Sequence, residues 1–366
     1  MTGRERIEAA LSPEGSPETP VLIPYEDICF RDHLQEIEGV PWWWGMAPEL
    51  ERQADWREAA LRAIGHDAMA LADTAPASRR ERLASLEREG MPLVRDLRSG
   101  EERPIEPEPV NGLHSAHRPE RPPASALEVD RIAGAPRPPD PTTLDLAHEM
   151  LHRRPDLYPY RHVSAPLWAC YWLWGFEALM EAIARDPGLV RHGCRLMLAH
   201  AVARLRSARA GGARGVWIED CMTDMVGPRA YAELGLPALR ELTAEARALG
   251  LQTILYFCGN PWPLFHHLLE SGADAIALEE SKKGFVVDVE EVVDRVAGRM
   301  AVFGNVDAVG VLQDGGDGAL RAELERQVRA GRRIGGRFVI SLGSPVTPGT
   351  PLARVRRFCE MARALW

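Results

Sequence analysis

Short apolar runs recur through the second half of the chain, and each closes on polar residues just before a stretch of helical periodicity. They are residues 215–221 (GVWIEDC), 253–260 (TILYFCGN), 275–281 (AIALEES), 300–307 (MAVFGNVD) and 338–344 (FVISLGS). Near-continuous apolar runs bounded by turn signals read as strands buried on both faces, the pattern of a parallel sheet. The stretches between them supply crossovers. After Pro237, for example, Leu239, Leu242, Ala246 and Leu249 share one helix face, and Gly250 ends the helix. Such strand-then-helix units in succession imply right-handed parallel connections. The predicted fold is α/β, a (β/α)8 TIM barrel, which leaves no open sheet edge; a doubly wound open sheet is the alternative.

The first half carries weaker signals. Ile7, Ala10 and Leu11 stand at helical spacing before a Pro/Gly break over 13–20, so a short N-terminal helix is expected. Residues 20–24 (PVLIP) read as a buried strand with Tyr25, Glu26 and Asp27 at its far end. Residues 162–168 (HVSAPLW) read as another strand. A helix beginning near Phe176 breaks at Asp186, Pro187 and Gly188 and resumes through Leu196 to Ala210. Between these parts, residues 102–141 hold ten of the chain's 29 prolines, a density that predicts neither helix nor central strand. This segment is expected to be a proline-rich arm inserted into a single domain over residues 1–366, with a linker between two domains as the other reading.

A barrel uses about 250 residues, so a chain of 366, of which 45% are hydrophobic and 27% charged, can form one barrel with insertions. The net charge of −9 lacks the positive surface that nucleic acids require. Six cysteines without regular spacing, and no basic-then-apolar leader, predict free thiols and a cytoplasmic location. No run approaches the roughly 20 apolar residues of a membrane span.

In a β/α barrel the C-terminal strand ends face the active site, so the residues closing each run carry the candidate chemistry. Glu219, Asp220 and Cys221 close one run; Glu279, Glu280, Ser281, Lys282 and Lys283 close another. Adjacent carboxylates can split their pKa values and serve as acid and base, or bind a cation; equally, one of each pair can face solvent or pair with Lys282 or Lys283. Cys258 follows Tyr256 and Phe257 and precedes a tight turn at Gly259, Asn260 and Pro261, which places its thiol at the rim. Zinc would hold such a thiol as thiolate, although a free buried cysteine is the commoner fate. Cys221 has the weaker claim. Asn305 and Asp307 can bind a ligand or cap the next helix. His266 and His267 fall on the segment after Cys258, and phosphate-loop and dinucleotide fingerprints are missing.

Ser164, Ala165, Pro166 and Leu167, then Leu179, Met180, Asp186 and Pro187, open an ordered set of segments. Gly272 to Ile276 (GADAI), Phe303 to Asp307 (FGNVD) and Gly349 to Leu352 (GTPL) continue it. In these segments the chain resembles the uroporphyrinogen decarboxylase superfamily, which includes the decarboxylase and the zinc-dependent methyltransferases that use methylated corrinoid proteins. The resemblance spans most of residues 160–366 and, more weakly, the first 30, and implies the barrel fold. Where the decarboxylase carries an arginine-rich RQAGR-like segment, this chain reads YEDICFRD from Tyr25, an acidic stretch that repels a polycarboxylate. The methyltransferases' His-x-Cys-Gly zinc motif aligns with Tyr256, Phe257, Cys258 and Gly259, with tyrosine at the histidine position and Ser344 near the second cysteine position.

A site resembling theirs would be rebuilt with Cys258, Glu219 and Glu280 as zinc ligands. The stretch from Glu279 to Gly284 also resembles divergent members that act in demethylation. The resemblance then implies transfer of a methyl group between a small O- or S-methylated substrate, or a thiol, and a corrinoid on a separate corrinoid-binding protein, with zinc as Lewis acid. In that scheme Tyr256 (as proton donor), Asp220 and Glu279 are catalytic, while Asn260, Asn305, Asp307, Ser344 and Trp172 bind substrate. A homodimer is left open. Two other readings stand beside it: a metal-independent decarboxylase or lyase on a carboxylated ring compound, with Asp220 or Asp307 polarising it, and a non-catalytic tetrapyrrole-binding barrel, suggested by Trp42, Trp43, Trp44, Trp172 and Trp174.

Overall fold

The computed structural model describes residues 1–110, 117–282 and 284–365; residues 111–116 of the proline-rich arm and Lys283 lie outside the described residues. In chain order the strands are β1 (Val21–Leu22), β2 (Ala68–Ala70), β3 (Leu83–Arg88), β4 (Met91–Asp96), β5 (Glu102–Pro104), β6 (Tyr158–Ser164), β7 (Gly215–Asp220), β8 (Gln252–Phe257), β9 (Ala275–Leu278), β10 (Ala301–Phe303) and β11 (Phe338–Ser341). Eight of them pair in the order β1-β11-β10-β9-β8-β7-β6-β2, all parallel. The ends of that sheet meet at Asp67. Its backbone N–H donates to the Val21 carbonyl at 2.9 Å, and its Oδ2 accepts from the Val21 N–H at 2.7 Å. The result is the expected (β/α)8 barrel.

Period-two alternation sorts the strand residues into two layers. Tyr158, Tyr160, Trp217, Ile254, Tyr256, Phe303 and Val339 fill the barrel interior. Val216, Ile218, Leu255, Phe257, Ile276, Val302 and Ile340 face the surrounding helices. Both layers are apolar, which is why the runs read as continuous. The N-terminal helix Gly3–Leu11 opens on a capping box between Thr2 and Glu5, and its Ile7, Ala10 and Leu11 join the interior layer. Helices Phe176–Arg185 and Pro187–Ala210 are divided at Asp186, whose side chain caps the second by accepting from the Leu189 N–H at 2.9 Å.

Three sequence expectations need correction. The strand expected over 162–168 is β6, which starts and ends earlier; Pro166 instead opens a helical turn, Pro166–Ala169, the position where a missing N–H costs nothing. The proline-rich arm is not devoid of regular structure. Glu102–Pro104 forms edge strand β5, which pairs with β4 alone in the antiparallel sheet β3-β4-β5. Edge strands tolerate proline because their outward N–H groups need no partner. Ala126–Ala133 is a helix, capped by Ser125 and burying Val129, in a window that holds no proline. The tryptophans, finally, do not form one surface. Trp43 and Trp44 contact each other and Arg52, whereas Trp172 meets His117 and Tyr171, and Trp174 is buried with its Nε1 donating to the Pro123 carbonyl at 2.9 Å. Helix Leu50–Ile64, strand β2 and the β3-β4 hairpin had no counterpart in the sequence reading.

Asp67 also accepts from Arg6 Nη2 at 2.6 Å and from Arg363 Nη2 at 2.8 Å, so one buried carboxylate ties the first and last helices to the closing strands. Asp67→Ala is expected to lose about 2–4 kcal/mol of stability, because it strips the Val21 N–H of its acceptor and two guanidinium groups of their buried counter-charge. Urea unfolding measures the loss; a wild-type midpoint would refute the hub.

Candidate active site

The inward face of each strand continues past its C-terminal end, and there the apolar interior gives way to polar groups. His162 on β6 and Glu219 on β7 are joined at 3.0 Å between Nδ1 and Oε1. Tyr25, which enters its helix in a left-handed conformation (φ 54°), stacks on His162 at 5.0 Å and meets Tyr256 edge-on at 5.6 Å. Beneath them Trp217 stacks on Tyr256 at 5.4 Å. Cys221 and Cys258 stand side by side. They extend the register in which Asp220 pairs with Phe257, with the Cys258 N–H donating to the Asp220 carbonyl at 3.1 Å. The adjoining Cys258 thiol, then burial and nearby carboxylates, push the Cys221 thiol well up, so it stays neutral. These two are half-buried, whereas Cys29, Cys170, Cys194 and Cys359 are buried; all six are free thiols.

A second cluster adjoins the first. Lys282 Nζ lies 2.5 Å from Glu279 Oε1, 3.7 Å from Glu280 Oε1 and 3.0 Å from Ser344 Oγ. Ser344 in turn donates to Glu280 at 2.8 Å, and the Gly259 N–H donates to Glu279 Oε2 at 2.8 Å. Burial disfavours the ammonium of Lys282, but the two glutamates outweigh it and hold its pKa above the usual lysine value. Tyr256 bridges the clusters by donating from Oη to the Gly343 carbonyl at 3.0 Å. Burial, then the neighbouring Cys258 and Glu279, pushes its phenol well up, so Tyr256 keeps its proton.

The structure therefore brings together Tyr256, Cys258, Glu219, Glu279, Glu280 and Ser344, and it leaves other expected residues outside. Asp220 alternates to the outer face, where it is buried and accepts from Tyr231 Oη at 2.7 Å. Asp307 caps the following turn through the Val309 and Gly310 N–H groups at 2.8 and 2.9 Å. Asn305 is buried and donates to the Val287 carbonyl at 2.9 Å, and Asn260 accepts from the Trp262 N–H at 3.2 Å. Both hold rim loops. Trp172 is exposed beside His117 of the arm. The acidic pair Glu26 and Asp27 does not project into the mouth as bare charge, since both meet Arg57, at 3.1 and 2.8 Å.

The expected zinc ligands do not converge. Glu219 is held by His162, Glu280 by Ser344, and among the described residues no group of three or more His, Cys, Asp or Glu is arranged to hold a metal ion. The described residues do not fit zinc in the arrangement the resemblance implies. Sequence reasoning missed His162 and Trp217; it placed Tyr25 only at a strand end and Lys282 only as a possible partner of the adjacent carboxylates, the role the structure gives it. The alternation in YPYRHVS puts Tyr158, Tyr160 and His162 on one face, a signal that could have found His162.

A β/α barrel with thiols, carboxylates and a lysine at its C-terminal mouth has the architecture of an enzyme. The chain belongs to the uroporphyrinogen decarboxylase (URO-D) family, whose profile matches residues 162–365. It is 26% identical over 190 residues to the uroporphyrinogen decarboxylase of Gloeobacter violaceus, covering 51% of this chain and 52% of that protein. It is 31% identical over 192 residues to the chloroplastic enzyme of Zea mays, covering 52% and 46%. The chain thus spans about half the length of the curated relatives it matches. Its fold is also that of a methyltransferase from Methanosarcina mazei, with a TM-score of 0.68 at 18% identity over 100% of this chain and 98% of that one. Among the described residues no helix is long and apolar enough to cross a membrane.

Burial raises the Asp220 carboxyl to about 6, with the Tyr231 hydrogen bond opposing the rise. A carboxyl raised on folding binds its proton more tightly in the native state, so its ionisation lowers stability as pH climbs from the unfolded value to about 6, and the loss is complete above that. Asp220→Asn is expected to match wild type near pH 4 and to exceed it by about 1–3 kcal/mol at pH 7.5. Denaturant titrations at the two pH values measure this, and a pH-independent difference would contradict it.

Proposed function

We propose that this protein is a methyltransferase that moves a methyl group between a small O- or S-methylated substrate, or a thiol, and a corrinoid carried by a separate corrinoid-binding protein. The observation that carries the reading is the pairing of two thiols, Cys221 and Cys258, at a mouth ringed by exposed apolar side chains. Trp172, Met225, Val286 and Val309 follow β6, β7, β9 and β10 respectively, and all are exposed. Exposed large apolar groups gathered on one rim suit a partner surface. The mouth disfavours a polycarboxylate, because Glu219, Glu279 and Glu280 face it with Lys282 as the neighbouring cation. The M. mazei neighbour, named as a methyltransferase, agrees in fold.

The corrinoid's cobalt supplies the centre that gives or takes the methyl group. The chain's residues position the substrate and manage its proton. Lys282, kept charged between two glutamates, and Tyr256, kept protonated by burial, are the proton donors available to an oxygen or sulfur that leaves in demethylation; in the opposite direction the thiol's proton passes to solvent and the Lys282 ammonium stabilises the thiolate that takes the methyl group. Cys221, kept neutral, steadies the Cys258 sulfur with which a thioether or thiol substrate makes contact. The aromatic floor of Tyr25, Trp217 and Tyr256 excludes water from the methyl group.

The test is to incubate the purified protein with free methylcobalamin and a panel of thiols, following loss of the methylated cobalamin by absorbance. Transfer that falls about 100-fold or more in Lys282→Met, with Cys258→Ser also impaired, is expected. A Trp172→Ala/Met225→Ala variant should retain the reaction with free cofactor and lose it with carrier-bound corrinoid. Carbon dioxide release from a carboxylated ring compound without methyl transfer would replace this reading with the decarboxylase one.

A further inference from the structure

Beyond the mouth, the barrel wall has a lateral opening. Strand β2 is only three residues long, and its pairing with β6 ends at Ala70 and Tyr160, with one further bond from the Leu71 N–H to the Tyr160 carbonyl at 2.8 Å. Past that point β6 continues through Arg161 and His162, while the segment after β2, which includes Asp73, leaves the sheet. A cavity of about 240 Å³ occupies the gap, with Arg137 of the proline-rich arm and Arg204 of helix Pro187–Ala210 on its outer sides. Three guanidinium groups and one carboxylate thus line a single small cavity, in a chain whose net charge is −9.

Arg161 is the buried member, 8% exposed. Its Nη2 lies 2.8 Å from Asp73 Oδ1, yet off the line of a hydrogen bond, so both Nε and Nη2 lack an acceptor. Buried donors without acceptors are costly, and a guanidinium fork fits a planar or tetrahedral oxyanion better than a misaligned contact. Arg137 and Arg204 make no ion pair among the described residues, and both are exposed enough to close on a ligand. The Asp73 side chain is 52% exposed and can leave the cavity when another anion enters.

We propose that this cavity is a binding site for the carboxylate or phosphate group of a small-molecule ligand, held by Arg161, Arg137 and Arg204 in exchange for Asp73. Its volume takes one such group with a short tail and excludes a tetrapyrrole. His162 lines the same cavity and contacts Glu219 at the mouth, so the rest of the ligand extends toward the site described above. The inference stands on the cavity and does not depend on the methyl-transfer reading.

Calorimetric titration of the full chain with inorganic phosphate and with malonate, at ionic strength held constant with chloride, tests it. One of the two anions should bind saturably, and which one does assigns the ligand as phosphoryl or carboxylate. Affinity should fall about tenfold or more in Arg137→Gln/Arg204→Gln and rise in Asp73→Asn, where the competing carboxylate is gone. Arg161→Gln should abolish binding; should that variant not fold, the exposed double variant carries the test alone. No saturable binding of either anion, or equal affinity in wild type, Asp73→Asn and the double arginine variant, overturns the proposal.

Discussion

Closure of the barrel where the first and second strands meet depends on side-chain acceptors, chief among them the Asp67 carboxylate, with His66 accepting from the Ile23 N–H and Glu26 from the Ala70 N–H beside it. These strands contribute two and three residues, too few for a ladder of backbone bonds to hold them together. Asp67 replaces the ladder. Its backbone accepts from the Tyr158 N–H and donates to the Val21 carbonyl, and its side chain accepts from the Val21 N–H. Arg6 and Arg363 complete its coordination, so a buried charge is compensated from both chain ends. Brief pairing here has a second consequence: it leaves the wall open beside β6, where Arg161 and Asp73 meet.

With the barrel closed, alternation decides what each strand end presents. Glu219 and Asp220 are adjacent in sequence and chemically alike, yet they have opposite environments. Glu219 turns inward to His162, while Asp220 turns outward into an apolar layer, where Tyr231 Oη and, to a lesser degree, Thr223 relieve its burial. The same rule carries Cys221, Cys258 and Glu279 inward, and the register between β7 and β8 sets the two thiols side by side. A one-residue slip of either strand would turn its thiol away from the other.

The electrostatics of the molecule are divided between two neighbouring places. The mouth concentrates carboxylates around Lys282, which keeps that lysine protonated and disfavours polyanions. The lateral cavity concentrates guanidinium groups around one displaceable aspartate. His162 borders both. Under the proposed function, a ligand with one anionic end and a methylated or thiol end would satisfy both surfaces, and the apolar rim above the mouth would receive the corrinoid-binding protein.

Much of this was legible in the chain because periodicity and turn residues are local properties. The apolar runs from Gly215 to Ser344 named the strands, their polar ends named Glu219, Cys258, Glu279 and Glu280, and the helix break read at Asp186, Pro187 and Gly188 is in the structure Asp186 alone, with the next helix starting at Pro187. Strand β2 carried no such signal, since Ala68, Met69 and Ala70 suit a helix as well as a strand, and β5 and the helix Ala126–Ala133 were obscured by surrounding prolines. Sequence by itself thus determined the barrel and the strand ends at which Glu219, Cys258, Glu279 and Glu280 stand. Only the tertiary structure decided which of them meet. It joined Cys258 to Cys221 rather than to Glu219 and Glu280, engaged those carboxylates with His162, Lys282 and Ser344, and placed Arg161, Arg137 and Arg204 around one cavity. Those partnerships depend on strand register and on contacts between segments far apart in the chain, and no local pattern encodes either.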